Sequence, residues 1–381
     1  MRYAAVGLMS LVLLSACGSD GPVREPADLQ DIVSPAFKPA KVWKESPGDG
    51  SDGLHSGLRL AVEADVLLTA DVSGDVYALD PRTGKRLWSA KTKARVISGP
   101  SVSGDLVLLG TRDAEVIALK RADGSPVWRS KVSSEVLAAP AGSGNVIVAR
   151  CGDGKVFGLS AETGIRLWSF DRAVPPLTLR GLSAPLIEGN TIFTGLDNGR
   201  AVALKLDSGE VLWEQVVTAP SGRSELERIV DVDADLLIAS DGVYAVSFGG
   251  ELAAVSLEDG RVAWRRPIKS YSGIAIFGRL LAVTAEDGVV WGLDAQTGAA
   301  VWKQEGLKYR GLSAPTTVEG RFVVADQDGY LHWLSAEDGS IVARVHAVGD
   351  AVTTAPVLRD NLLYVLDNSG AITAIEVPAL N

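Results

Sequence analysis

The sequence predicts an all-β fold, an eight-bladed β-propeller of four-stranded antiparallel blades, closed by an N-terminal strand that joins the last blade. Three observations carry this. A motif of Gly, alternating apolar and small residues, a Thr/Ser/Asp-Gly turn and then Trp recurs along the chain. Its Trp-to-Trp intervals from Trp43 to Trp302 are 45, 40, 40, 45, 51 and 38 residues, room for about two hairpins each. Finally, the last unit is one strand short, while a Trp-bearing segment near the N-terminus belongs to no unit.

Taken in chain order, Met1-Arg2 is a minimal charged start, and Ala4 to Leu14 is an apolar run too short to span a bilayer as a mature helix. It ends in Leu14-Ser15-Ala16-Cys17, which resembles the bacterial lipoprotein box. That resemblance implies a signal peptide over 1–16 and lipidation of Cys17. By analogy with lipoproteins of the enteric type, Gly18 rather than Asp after the Cys implies export to the outer membrane. Residues 17–36 are rich in Gly, Pro and charge and read as a lipidated flexible tether. The propeller is expected over 37–381. Lys41-Val42-Trp43-Lys44 is the orphan strand.

The clearest repeat runs from Gly74 to Trp88. Val76 and Ala78 fall on one side of its strand, Tyr77 and Leu79 on the other, so both faces call for burial between neighbouring blades. Thr83-Gly84 supplies the positive-φ turn. Further copies end at Trp128, Trp168, Trp213, Trp264 and Trp302. The copy containing Asp338-Gly339 has Ala343 where Trp is expected, so one blade junction should be poorly filled. The last unit offers strands near Thr353–Leu358, Asn361–Leu366 and Ala371–Val377, and the orphan strand supplies its fourth. A seven-bladed ring would leave Trp43 or the Gly370 segment without a role.

Of the two cysteines, Cys17 is committed to lipid, so Cys151 has no intramolecular partner and reads as a small buried strand residue. A net charge of −10 argues against nucleic acid as a partner. Eight-bladed rings with this Trp motif also occur in quinoprotein alcohol dehydrogenases, which makes a periplasmic ligand sensor or cofactor-dependent dehydrogenase relative the competing function. The residues speak against it. There is no adjacent Cys pair and no Cys-x-x-Cys-His, and His55, His332 and His346 form no pair at metal spacing. Asp231-Val232-Asp233-Ala234-Asp235 starts like a calcium loop, but Leu236 replaces the required Gly and Gly242 the closing Glu. No catalytic residue, cofactor or metal is expected.

Function in a repeat protein tends to sit where the repeat is broken. The longest interval contains Ser224-x-x-Glu227, a capping-box pattern that predicts a short projecting helix, followed by Asp231-Val232-Asp233. The interval before it contains Pro175-Pro176-Leu177-Thr178-Leu179-Arg180-Gly181. Two readings stay open on these residues. The leucines and Arg180 form an interface patch, or the leucines tuck under the loop and Arg180 pairs locally. Arg180-Gly181-Leu182-Ser183-Ala184-Pro185 recurs as Arg310 to Pro315, so part of the segment is blade architecture; Leu177-x-Leu179 does not recur.

The lipoprotein box, the tether ending in Phe37-x-Pro39-x-x-x-Trp43, the eight units, the Leu-x-Leu-Arg-Gly-x-Ser-Ala-Pro loop and the Arg228-x-x-Asp231-x-Asp233 segment together resemble the BamB family. These are lipoprotein subunits of the β-barrel assembly machinery of the Gram-negative outer membrane. The resemblance spans the mature chain. It implies a non-catalytic adaptor on the periplasmic face of the outer membrane that assists folding and insertion of outer-membrane proteins. It also implies binding to the periplasmic repeat domains of the barrel subunit BamA through Leu177, Leu179, Arg180, Asp231 and Asp233. Other lipoproteins of the complex would be met indirectly, and nascent outer-membrane proteins are a further candidate contact. Asp231 and Asp233 would either meet the partner or hold Arg180 in place.

Overall fold

A strand that is apolar on both faces must lie between two other sheets. The computed structural model, which describes residues 24–54, 56–181, 183–240 and 242–378, meets this demand with eight sheets set as the blades of a closed ring. The described residues contain no helix. The first blade is built from Ala61–Val62, Leu67–Ala70, Asp75–Leu79 and Arg86–Lys91, paired antiparallel in chain order. The next six repeat that order. The second blade gains a short fifth strand, Gly57–Leu58, parallel to Val96–Ser103. Ala40–Glu45 pairs antiparallel with Ile372–Glu376, placing Trp43 opposite Ala374 and completing the eighth blade. The two faces of Asp75–Leu79 serve different neighbours. Val76 and Ala78 pack with Leu109 and Ile117 of the second blade, Leu79 with Tyr364 and Ile372 of the eighth.

One polar contact recurs from blade to blade. The indole N–H of each outer-strand Trp donates to a carbonyl just before the turn of the next blade. Trp43 bonds Pro81, Trp88 bonds Arg121, Trp128 bonds Ala161, Trp168 bonds Leu206, Trp213 bonds Leu257, Trp264 bonds Ala295 and Trp302 bonds Ala336, all at 2.7–3.1 Å. The indole face lies over the turn glycine. A Cβ on Gly124 would come 2.7 Å from the Trp88 ring, at a φ of +71°. The glycine is therefore required both for conformation and for space.

Ala343 is the exception, and the expectation of a poorly filled junction is overturned. Its cross-strand partner is Trp333, so large and small residues have exchanged strands at an unchanged register. Trp333 is fully buried, and Phe37 meets it edge-on at 5.7 Å. The reason is topological. The eighth blade is closed by a separate end of the chain, so no turn after Ile372–Glu376 presents a glycine and a carbonyl to an indole at 343. The indole N–H of Trp333 is buried without a partner.

Residues 24–36, the described part of the expected tether, form no strand but are attached to the ring. Ala27 N–H donates to Lys308 O at 2.9 Å and Ala36 N–H to Val342 O at 2.8 Å. Arg310 and Arg344 donate to the carbonyls of Ala27 and Gln30. Behind them, His332 is buried between Asp326, 3.0 Å from Nε2, and Arg344, whose Nε donates to Nδ1 at 3.1 Å. A ring that accepts from Arg344 must be neutral with its proton on Nε2. Burial above all, with the Arg344 and Arg310 charges, holds the His332 pKa below 6.5 against the pull of Asp326. The expected signal peptide, Cys17 and His55 lie outside the described residues.

Two predictions follow from these contacts. Restoring the repeat residue with Ala343→Trp should destabilise the ring by about 1–3 kcal/mol, because Trp333 already occupies the space; equilibrium denaturation measures it, and Ala343→Trp combined with Trp333→Ala should recover part of the loss. His332 takes up a proton more readily when unfolded than when folded, so its contribution to stability is lost as pH falls below about 6.5. Tm should therefore fall more steeply between pH 7.5 and 5.5 for the wild type than for His332→Gln, whose amide can keep both hydrogen bonds.

Candidate functional site

Each connection from an outer strand to the innermost strand of the next blade crosses the same face of the ring. Three consecutive connections, 132–140, 171–185 and 217–236, meet there. The last is the foundation. Val232 is fully buried, its N–H donates to Leu196 O at 3.2 Å, and Asp231 O accepts from Phe248 N–H at 3.0 Å. A Cβ at Gly195 would lie 2.5 Å from Val232, so the fourth blade is cut away to seat it. The segment is thereby clamped to the fourth and fifth blades.

On this base, alternate aspartates face the 177–184 loop. Asp231 accepts the Leu179 N–H, and Asp235 accepts the Ala184 N–H at 2.6 Å and pairs with Arg59 at 2.9 Å. Asp233 lies between them against the backbone of Gly181, where a Cβ would overlap its Oδ1. Asp231 is 0 % and Asp233 9 % exposed. Burial, the largest cause, pushes both carboxyls up to about 7; Asp197 opposes ionisation of both, and Asp231 that of Asp233, while Arg150 favours it.

The structure thus places the five sequence-predicted residues in two layers. Asp231 and Asp233 are beneath, and neither is bonded to Arg180. Leu177 is 43 % exposed, Leu179 is half-buried, and Arg180 points outward on a left-handed backbone at φ 63°. Arg180 pairs with Glu135 of the 132–140 connection, with 55 % of its side chain still exposed. Glu135 lies below its usual pKa: burial pulls upward, but the Ser134 hydroxyl, a backbone N–H and Arg180 outweigh it. The expected projecting helix is absent. Ser224 and Glu227 do form the reciprocal capping bonds, but around a single turn, with Leu226 70 % exposed at its tip.

Sequence reading missed the buried residues that complete the base. Arg150 pairs with Asp197 and donates to Gly181 O at 2.9 Å. A signal existed: Arg150 ends the second strand of its blade at a register where the other blades carry Ala70, Gly110, Gly195, Val246, Thr284, Ala325 and Leu366. Next to it, Cys151 is buried as expected but lies one residue past the strand rather than on it, its thiol pushed up to about 11 chiefly by burial.

The model of the family described as outer membrane protein assembly factor BamB matches residues 38–113, 72–304 and 306–379. A protein of that name from Alkalilimnicola ehrlichii is 48 % identical over 99 % of this chain and 97 % of its own. The Pseudomonas aeruginosa protein of that name is 43 % identical over 99 % of both chains, and the Escherichia coli K12 protein 31 % over 97 % of both. The crystal structure of BamB from Moraxella catarrhalis superimposes with a TM-score of 0.82 at 26 % identity, covering 89 % of this chain and 99 % of that one. A quinohemoprotein alcohol dehydrogenase from Comamonas testosteroni shares the fold alone, with a TM-score of 0.72 at 14 % identity over 90 % of this chain and 77 % of its own.

The Leu179 amide bond to Asp231 should control the order of the loop. Asp231→Ala should speed amide exchange at Leu179 roughly 10- to 100-fold, the loss of about 1.5–3 kcal/mol for a bond to a charged acceptor. Asp231→Asn, which keeps an acceptor oxygen, should retain most of the protection.

Proposed function

The chain belongs to the outer membrane protein assembly factor BamB family, and we propose that it acts there by docking the 177–180 loop on the periplasmic repeat domains of BamA. Its role is that of a non-catalytic assembly factor for outer-membrane proteins. Lipid on Cys17 anchors it to the periplasmic face of the outer membrane in this reading; other lipoproteins of the complex are met through BamA, and nascent outer-membrane proteins are a further contact.

One observation carries the proposal: Leu177 and Arg180 face solvent on a backbone held from below by Asp231. Apolar side chains in a loop are normally turned inward, and here the inward positions are taken by carboxylates. Leu177 and the half-buried Leu179 supply apolar area, and Arg180 supplies directional hydrogen bonds to a carboxylate or carbonyl on the partner. The Glu135 pair costs little to exchange, because exposed ion pairs contribute only ~0–1 kcal/mol. Asp231 contributes by holding the loop backbone rather than by contact, with Asp233 packed beneath Gly181, so little ordering entropy is lost on docking.

Co-purification of BamA from detergent-solubilised membranes tests this. Leu177→Ala/Arg180→Ala should reduce recovered BamA at least about tenfold, a loss of ~1.4 kcal/mol or more, with Tm within about 2 °C of wild type. Undiminished BamA would move the interface off this loop, and a large fall in Tm would mean that the two side chains serve the ring instead.

A further inference from the structure

Beneath the same loop, Asp197, Asp231 and Asp233 converge from two elements. Asp197 follows the second strand of the fourth blade, and the other two belong to the connection into the fifth. One carboxylate oxygen of each lies within 4.8 Å of the others, and all three residues are buried. Arg150 is ion-paired with Asp197, and its charge also acts on Asp231 and Asp233. When all are ionised, three carboxylates face one guanidinium, an excess of two negative charges in a site closed to bulk water. Isolated buried charges of that kind are costly unless something else meets them.

The hydrogen bonds do not meet them. Among the described residues the Asp233 side chain has no hydrogen-bond partner, although the residue is only 9 % exposed and its Oδ1 is sealed from solvent. Asp231 uses Oδ2 for the Leu179 N–H, leaving a buried Oδ1 equally unpaired, and Arg150 Nε is buried and unpaired alongside. Two orphaned carboxylate oxygens with a third carboxylate within reach are met by a proton or by a cation, and only a cation can meet all three at once.

We propose that Asp197, Asp231 and Asp233 form a seat for a hard divalent cation, calcium or magnesium, which fastens the 177–184 loop to the fourth and fifth blades. The donor set is all oxygen, without thiolate or imidazole, which selects these ions over zinc or copper. Two oxygens on one calcium ion at ~2.3–2.6 Å stand at most about 5.2 Å apart, so oxygens within 4.8 Å of one another can be drawn onto it by small side-chain shifts, whereas magnesium at ~2.0–2.1 Å needs them within about 4.2 Å. The charge of the ion cancels the excess left by Arg150. This is not the EF-hand excluded on sequence, because Asp197 comes from another part of the chain and no twelve-residue loop is involved.

The test uses the mature chain, stripped with chelator and titrated at pH 7.5 with calcium chloride or magnesium chloride alone, by calorimetry and equilibrium dialysis. The expected result is one ion per chain, a Tm that rises with free ion, and slower amide exchange over 177–184. Asp233→Asn and Asp231→Asn, with circular dichroism like wild type, should each weaken binding at least tenfold. Asp259→Asn, at an exposed turn, should leave it unchanged. Absence of binding by wild type at millimolar free ion would overturn the proposal whatever the variants do. So would wild-type affinity in both Asn variants, or a stripped protein that ignores the ions and loses stability as pH rises through 7, the mark of a proton shared by Asp231 and Asp233. None of these readouts requires BamA, so failure here and failure of the docking proposal are separable.

Discussion

The ring depends on one contact, an indole of one blade lying on the turn glycine of the next with its N–H bonded to the carbonyl beside that turn. A blade-to-blade interface of apolar strands alone has no directional preference, because the hydrophobic effect is non-directional. The indole supplies both area and a directional bond. It also sets what its neighbours can be. Opposite each Trp the third strand must carry a small residue: Ala78, Ala118, Gly158, Ala203, Ala254, Gly292 and Ala374. A Cβ at Gly158 or Gly292 would overlap the facing indole. The periodicity of the sequence records three linked positions, and the Trp is only the most visible of them.

Seen this way, the seventh blade keeps the large–small pairing while losing the indole bond. The volume of a cross-strand pair is conserved while its two members trade places, and Phe37 adds area from the N-terminal segment. Reading the motif by position made Ala343 a defect; reading the pair by volume makes it an exchange imposed by ring closure. The repeats, the strand count and the closing strand were legible because hydrophobic alternation and turn glycines are local. The exchange was not, because it depends on which register position faces which across a strand pair. The capping box misled for a related reason. Ser224 and Glu227 satisfy each other locally, but a single turn lacks the propagation that makes a helix.

The candidate site was legible in its outer layer only. Leu177, Leu179 and Arg180 stand out because they depart from the repeat. Their support comes from Glu135, Arg150, Asp197 and Asp231, spread over two connections, one strand and one hairpin turn, and sequence has no way to bring together partners as distant as Arg150 and Asp197. Arg150 was nevertheless marked, as a charge at a register where other blades carry small, apolar or hydroxyl side chains. A charged residue in a repeat position that is otherwise uncharged indicates a buried partner somewhere else in the ring.

The two copies of Arg-Gly-Leu-Ser-Ala-Pro show how one motif serves two ends. Arg310 is buried, bonded to Asp326 and Asp328, and flanked by left-handed Tyr309 and Gly311. There it holds the carbonyl of Ala27 and so fixes the N-terminal segment to the seventh blade. In the other copy Arg180 itself is left-handed, and the inward position is filled by Arg150 from a different blade. The backbone strain of a non-glycine residue at positive φ, of order 1–3 kcal/mol, is sustained because Asp231 and Arg150 fix the chain on either side of it. That arrangement turns a structural arginine into an outward one without loosening the loop. A guanidinium on a rigid base, beside an exposed leucine, is what a surface needs in order to bind through a few residues. The ring is large for so small a patch, but its closure leaves the three connections little freedom to separate, and the geometry of the patch depends on their staying together.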